Sequence, residues 1–203
     1  MNINSFIESL SETEETQFFE NPYKNETQRY NLEVYLNAMY EIGPKTLFVG
    51  EAPGYKGCYL SGIPFTSEYQ LLNDKYIPGY GKYKTNGLSK EKTATIFWNA
   101  IKKYKEYDFM PLLWNSFPFH PYVFGNKESN RAPSKTETDM GAIYIKKLID
   151  IFDIKYIYSI GKSAYSSLIK MNIDNFNNSS YIRHPSYGGK ADFNKKIDEI
   201  VLL

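Results

Sequence analysis

Three polar side chains stand directly after short apolar runs, and they are the groups in this chain best placed to do chemistry. Leu47-Phe48-Val49-Gly50 empties into Glu51 and the turn Ala52-Pro53-Gly54; Leu112-Leu113-Trp114 ends in Asn115; Ile182-Arg183 leads into His184-Pro185-Ser186. A buried parallel strand that stops in such a turn delivers its next side chain to the C-terminal edge of the sheet, where open α/β folds bind ligands. A carboxylate, an amide and an imidazole are therefore expected at one mouth. Taken singly, each has a plainer use. Glu51 serves equally as a solvated turn residue or as a cap on helix amides, Asn115 as a cap on a strand end, and His184 as a surface histidine. Phe65, in Gly62-Ile63-Pro64-Phe65, sits in a loop, an exposed setting for so apolar a ring unless something covers it; the alternative is the core.

Other chemistries find less support. The two histidines, His120 and His184, both precede proline and lack a Cys or carboxylate at ligand spacing, so no metal site is expected. The stretch from Gly50 to Gly54 could cradle a phosphate, but it lacks the glycine fingerprint and the lysine of a phosphate loop.

The elements that must position these groups follow from periodicity and breakers. Helices are expected over Asn4 to Phe18 and Thr27 to Met39, the second stopped by Gly43-Pro44. The first buried strand is Thr46 to Val49, followed by a loop from Ala52 to Thr66 and a helix starting near Ser67. A helix over Lys90 to Tyr104 precedes a strand over Met110 to Trp114. The stretch from Asn115 to Ser134, with Pro118, Pro121, Gly125 and Pro133, reads as a long irregular loop, and loops of that length are commonly functional. Helices at Thr138 to Ile151, Lys162 to Met171 and Asp192 to Val201 alternate with strands at Tyr156 to Ile160 and Tyr181 to Arg183. This alternation predicts a three-layer α/β/α fold with a four-stranded parallel core sheet.

With 203 residues the chain fits one domain, residues 1–203, able to bury a core without staples. One cysteine, Cys58, rules out an intrachain disulfide framework and suits a reducing compartment. No apolar run approaches the roughly 18 residues of a spanning helix, and the opening Met1-Asn2-Ile3-Asn4 does not look like a signal peptide. The expectation is a cytoplasmic monomer without membrane contact. The net charge of +1 announces no nucleic-acid partner, but its distribution is uneven. Glu8, Glu12, Glu14, Glu15, Glu20, Glu26 and Glu33 crowd the first forty residues. Lys75, Lys82, Lys84, Lys90, Lys92, Lys102, Lys103 and Lys105 outnumber Asp74 and Glu91 between Leu72 and Lys105. That second stretch is either a DNA-facing surface or a solvated helix face. Tyrosines among these lysines could stack on unpaired bases or serve as core and rim residues.

Across Thr46 to Gly189 the motifs resemble those of the uracil-DNA glycosylase superfamily: a strand-end turn with a water-activating residue, a downstream aromatic, a strand-end Asn and a His-Pro-Ser loop. The likeness is nearest to the thermophilic type, in which Gly-Glu-Ala-Pro-Gly, here Gly50, Glu51, Ala52, Pro53 and Gly54, is followed by Gly-x-Pro-Phe, here Gly62 to Phe65. Residues 1–42 lie outside the recognised motifs. The resemblance implies that Glu51 orients the hydrolytic water, Phe65 stacks on an extruded uracil and Asn115 reads it. It implies that His184 donates to uracil O2 as charge develops on the departing base. Arg131, in Asn130-Arg131-Ala132-Pro133, would contact DNA phosphate or brace its loop. Ser186 and Tyr187 fall where DNA is contacted, Tyr187 near the position of a wedge into the base stack.

Two departures limit the resemblance. The thermophilic type holds an iron–sulfur cluster on four cysteines, and one cysteine cannot build it. The uracil-specific type carries Tyr where Gly54 stands, a ring that excludes the thymine methyl. The implied function is a monofunctional DNA glycosylase that hydrolyses the N-glycosidic bond of uracil, or a related deaminated base, in DNA to start base excision repair. It needs no cofactor and no metal. The alternative is the same fold with weak or lost catalysis, binding uracil-bearing DNA or a protein partner.

Overall fold

The computed structural model describes residues 2–107, 109–173, 176, 180–186 and 188–202, with the side chains of 105–107 excepted. Helix α1 (Ile3–Ser11) starts at Asn2, whose side chain accepts from the Ser5 N–H, and buries Phe6, Ile7 and Leu10. It ends earlier than the expected Phe18. The Asn21 amide donates to the Leu10 and Thr13 carbonyls at 2.7 and 2.9 Å, satisfying the helix end and turning the chain back. The chain then forms β1 (Phe19–Glu20) and α2 (Glu26–Ile42), which Gly43 closes in the left-handed region at φ 68°.

Strand β2 (Thr46–Gly50) is buried throughout. Its connection to β3 (Leu112–Asn115) carries α3 (Cys58–Ser61), α4 (Glu68–Asn73) and α5 (Lys92–Ile101). A short helix thus interrupts the loop expected between Ala52 and Thr66. After β3 the chain forms β4 (His120–Pro121), α6 (Lys135–Phe152), β5 (Tyr156–Ile160), α7 (Lys162–Lys170), β6 (Tyr181–Ile182) and α8 (Lys190–Val201). The stretch from Asn115 to Ser134 is therefore not wholly irregular. β4 pairs antiparallel with β1, Glu20 opposite His120 and Phe19 opposite Pro121. A two-residue ribbon tolerates a proline that an interior strand would not.

The main sheet runs β3-β2-β5-β6, all parallel, as the alternation of elements predicts. Its two faces are buried by different helices. Phe48 packs against Phe97 of α5, which in turn meets Phe193 of α8. Trp114 points the other way, against Phe6 of α1, and Phe6 meets Tyr144 of α6. Each such ring, fully buried, contributes roughly 2–3 kcal/mol, and the N-terminal helices share this one core with the sheet. The outer edge at β3 is covered: the Leu113 N–H donates to Tyr35 Oη of α2 at 2.9 Å. No helix among the described residues is long and apolar enough to cross a membrane.

The topology fixes where a ligand can sit. From β2 the chain steps to β3 on one side, then crosses back over β2 to β5 on the other. The reversal opens a crevice at the C-terminal end of β2, beside Gly50 and Glu51.

Candidate functional site

A cleft of ≈ 530 Å³ lies at that end of the sheet, lined by residues from four strand ends and the β2–β3 connection. Gly50, Glu51, Ala52, Gly54, Phe65, Asn115, His184 and Ser186 all face it. Pro53 does not line it; its carbonyl is held 2.8 Å from the buried His120 Nδ1. Arg131 stands elsewhere, and Tyr187 lies outside the described residues.

Parallel pairing continues one step beyond β2 and β3 and sets the Glu51 turn. The Ser116 N–H donates to the Gly50 carbonyl at 2.8 Å, and the Phe117 N–H and Ser116 Oγ–H both donate to the Glu51 carbonyl at 3.0 and 2.8 Å. The backbone of Glu51 is pinned while its half-buried carboxylate makes no hydrogen bond or ion pair among the described residues.

Phe65 and Asn115 close on Gly50 from two sides. A Cβ on Gly50 would lie 2.6 Å from both Phe65 Cζ and Asn115 Oδ1, so only glycine fits. Phe65 stacks on Phe97 with ring centroids 5.0 Å apart and planes 18° off parallel, and it lines the cleft. Its backbone sits in the left-handed region at φ 54°, uncommon for an aromatic residue. Neighbours hold it there. Thr66 Oγ1 donates to the Pro64 carbonyl and accepts from Trp98 Nε1, and Ser61 Oγ donates to the Thr66 carbonyl. Such over-determined strain is typical of ligand sites.

Asn115 is 5% exposed, its Nδ2 3.7 Å from the Cys58 sulfur and its Oδ1 without a hydrogen bond among the described residues. Burial pushes the Cys58 thiol up, so it is not a thiolate.

His184 is carried by the turn after β6, closed where the Gly189 N–H donates to the Ser186 carbonyl. A Cβ on Gly189 would lie 2.1 Å from the His184 carbonyl, so this turn also demands glycine. His184 Nδ1 lies 2.6 Å from Ser186 Oγ and 3.3 Å from the Ser186 N–H. A backbone N–H can only donate, so Nδ1 is the acceptor and the imidazole proton belongs on Nε2. Burial lowers the His184 pKa below its ordinary value, opposed by the charges of Glu91 and Glu51. A neutral ring with an Nε2–H donor is the result.

Sequence reasoning missed several cleft residues, chiefly Cys58, Glu91, Asn130, Lys56 and Lys162. Glu91, counted only as a charge, caps α5 by accepting from the Thr93 and Ala94 N–H groups, both at 3.0 Å. Asn130 Oδ1 accepts from the Tyr55 N–H and steadies the first motif. Gly54 leaves its wall open: a Cβ there would meet only Asn130 Oδ1, at 3.7 Å.

The basic stretch is partly committed elsewhere. Lys102 pairs with Asp74, and Lys84 and Lys90 lie over the rings of Tyr30 and Tyr69. Arg131 has the bracing duty. Its five N–H donors go to the carbonyls of Tyr122, Ala132 and Phe18 and to both oxygens of Glu137, leaving none for a phosphate. No group of three His, Cys, Asp or Glu that could hold a metal ion occurs among the described residues.

A strand-end carboxylate, a stacked aromatic wall, a buried amide and a neutral imidazole around one cleft on a parallel sheet match the motifs of one family. The family model of the uracil DNA glycosylase superfamily covers residues 38–201, and the chain belongs to that superfamily. Among solved structures, that of wild-type SMUG2 from Pedobacter heparinus is similar in fold, with a TM-score of 0.71 at 21% identity over 98% of this chain and 94% of that one. No curated protein matches the sequence.

Proposed function

We propose that this chain is a monofunctional DNA glycosylase that hydrolyses the N-glycosidic bond of uracil, or a related deaminated base, in DNA. The observation that carries the reading is the protonation geometry of His184 in a cleft it shares with Glu51, Phe65 and Asn115. The target nucleotide leaves the duplex, since its reacting bond cannot be reached inside the stack. The base lies on the free face of Phe65, a contact worth roughly 1–3 kcal/mol. The Asn115 amide offers an acceptor to N3–H and a donor to O4, a pattern that cytosine reverses at both positions.

As the bond to the sugar breaks, negative charge gathers on the base and spreads to O2. The His184 Nε2–H donates there, and a donor aimed at developing charge is worth about 2.7–4 kcal/mol in a better-studied enzyme. Glu51, with its carboxylate unengaged, orients the water that adds to the sugar carbon. The water's hydroxyl bonds to that carbon as the N-glycosidic bond breaks with its electron pair on the base, and the water's proton ends on the released base anion, so the reaction balances without a metal or organic cofactor. Lys56 and Lys162, exposed at the rim, suit phosphates on either side of the extruded nucleotide.

A strand-scission gel tests the reading. Incubation with a uracil-bearing oligonucleotide followed by alkali should cleave at the uracil. Intact strands at high enzyme excess would refute catalysis and leave only a binding role.

A further inference from the structure

An asparagine amide can be turned end for end with almost no change of shape, which exchanges a donor for an acceptor. For a base held by Phe65 and His184, that exchange decides which pyrimidine is read. Uracil presents the O4 acceptor beside the N3–H donor, and cytosine presents the N4 amino donor beside a bare N3 acceptor. Something must therefore hold the amide of Asn115 in one orientation before the base arrives.

Two contacts do so. Oδ1 lies 2.6 Å from the point a Cβ would take on Gly50, so it faces a Cα–H, a contact that suits an oxygen and not an amino group. Nδ2 lies 3.7 Å from Cys58 Sγ, within hydrogen-bond range of sulfur. Cys58 and Asn115 are 6% and 5% exposed, so water competes little for this contact. With one N–H on sulfur, the second shares an edge with Oδ1 and is left for a ligand in the cleft that Asn115 lines. Cys58 reaches this place because it opens α3 directly after Gly57, and α3 is closed by the Gly62 N–H donating to the Cys58 carbonyl.

We infer that Cys58 is a positioning residue for base selection, its sulfur holding the Asn115 amide in the orientation that reads uracil rather than cytosine. The inference rests on the proposed role of Asn115 as the group that reads the base.

The test compares wild type, Cys58→Ala, Cys58→Ser and Asn115→Ala in single-turnover excision of uracil and in inhibition by free uracil and free cytosine. Cys58→Ala should lose about two- to tenfold of the preference for uracil over cytosine, the range expected for one weak hydrogen bond. Cys58→Ser, which keeps an acceptor, should retain more of the preference than Cys58→Ala. If the alanine variant melts below the assay temperature, Cys58→Val, which fills the space without an acceptor, takes its place: a weaker preference for uracil than wild type supports the inference and an unchanged one overturns it. A well-folded Cys58→Ala with unchanged preference overturns it too, as does an equal weakening toward both bases, which would mean packing alone. Asn115→Ala should abolish uracil preference; if it keeps the wild-type rate and preference, the base-reading role fails, and the inference with it.

Discussion

Substituting Gly50→Ala probes the site through sterics alone, adding one methyl group and no charge. The new Cβ would lie 2.6 Å from Phe65 Cζ and from Asn115 Oδ1, and 3.1 Å from Phe65 Cε2. Carbon contacts prefer at least about 3.5 Å, so one or both partners must withdraw by roughly 1 Å. Phe65 cannot retreat freely, because Phe97 lies stacked behind it. Asn115 cannot retreat without altering its contact with Cys58. Overpacking of this kind costs about 1–3 kcal/mol, which for a chain of this size lowers the melting temperature by roughly 2–4 °C per kcal/mol. The larger effect falls on catalysis, since a misplacement of about 1 Å can cost on the order of a hundredfold in rate. Thermal melting and single-turnover excision of uracil would be measured together, with Gly50→Ala/Phe65→Leu as a partner variant that recovers part of the stability and none of the rate. A Gly50→Ala protein with wild-type melting and wild-type excision would refute the convergence of Phe65 and Asn115 on this glycine.

Other perturbations separate the roles. His184→Ala should lower the excision rate by about 10²–10³ with little loss of DNA affinity in a filter-binding assay, because its donor acts on charge that exists only as the base departs. Glu51→Gln should bind uracil-DNA normally and turn over about 10²–10⁴ more slowly in single-turnover kinetics; if both variants kept wild-type rates, these catalytic assignments would be withdrawn. Asn115→Asp should lose uracil excision and gain slow release of cytosine on a cytosine oligonucleotide, since a protonated carboxyl accepts from N4 and donates to N3. Arg131→Ala should destabilise by on the order of 3 kcal/mol in denaturant titration, because it leaves the Glu137 carboxylate buried and unpaired, while the salt dependence of DNA binding stays as in wild type. The same ion pair gives a pH signature. Burial raises the Glu137 pKa, but hydrogen bonds from Arg131 and Ser134 outweigh it and leave the carboxyl lowered. The native state then binds that proton less readily than the unfolded chain, so this stability is whole above about pH 4.5 and lost as pH falls further. Arg131→Ala should flatten that acid-side loss.

The strand tips were legible because a buried parallel strand has few ways to end. Runs such as Leu47 to Gly50 and Leu112 to Trp114 must be covered on both faces, so the first polar residue after each emerges at the sheet edge. Register does the rest: Gly50 pairs with Asn115 and Ile160 with Ile182, which brings separate tips to one level. The ends of α1 and the pairing of β1 with β4 were not legible, since each depends on a partner distant in sequence. Asn21 closes a helix ten residues earlier, and Glu20 pairs with His120. Cys58 and Glu91 were missed for a related reason. Both belong to the long connection between β2 and β3, and nothing in their local spacing distinguishes a cleft residue from a helix cap.

Charge is the clearest case of what composition cannot say. A count of lysines between residues 72 and 105 suggests a DNA-facing surface, and Arg131 in its motif suggests a phosphate contact. A cation serves a phosphate only if its donors are not already spent. Arg131 spends all five inside the protein, tying the ends of β1, β4 and α6 together. Lys102 spends its charge on Asp74, and Lys84 and Lys90 lie over tyrosine rings. Lys56 and Lys162 belong to no such cluster in the sequence, yet they stand exposed on the rim of the cleft, one beside the first motif and one at the start of α7. Affinity for DNA should therefore follow the few cations whose donors face solvent at the cleft, and the frame should follow the arginine whose donors do not.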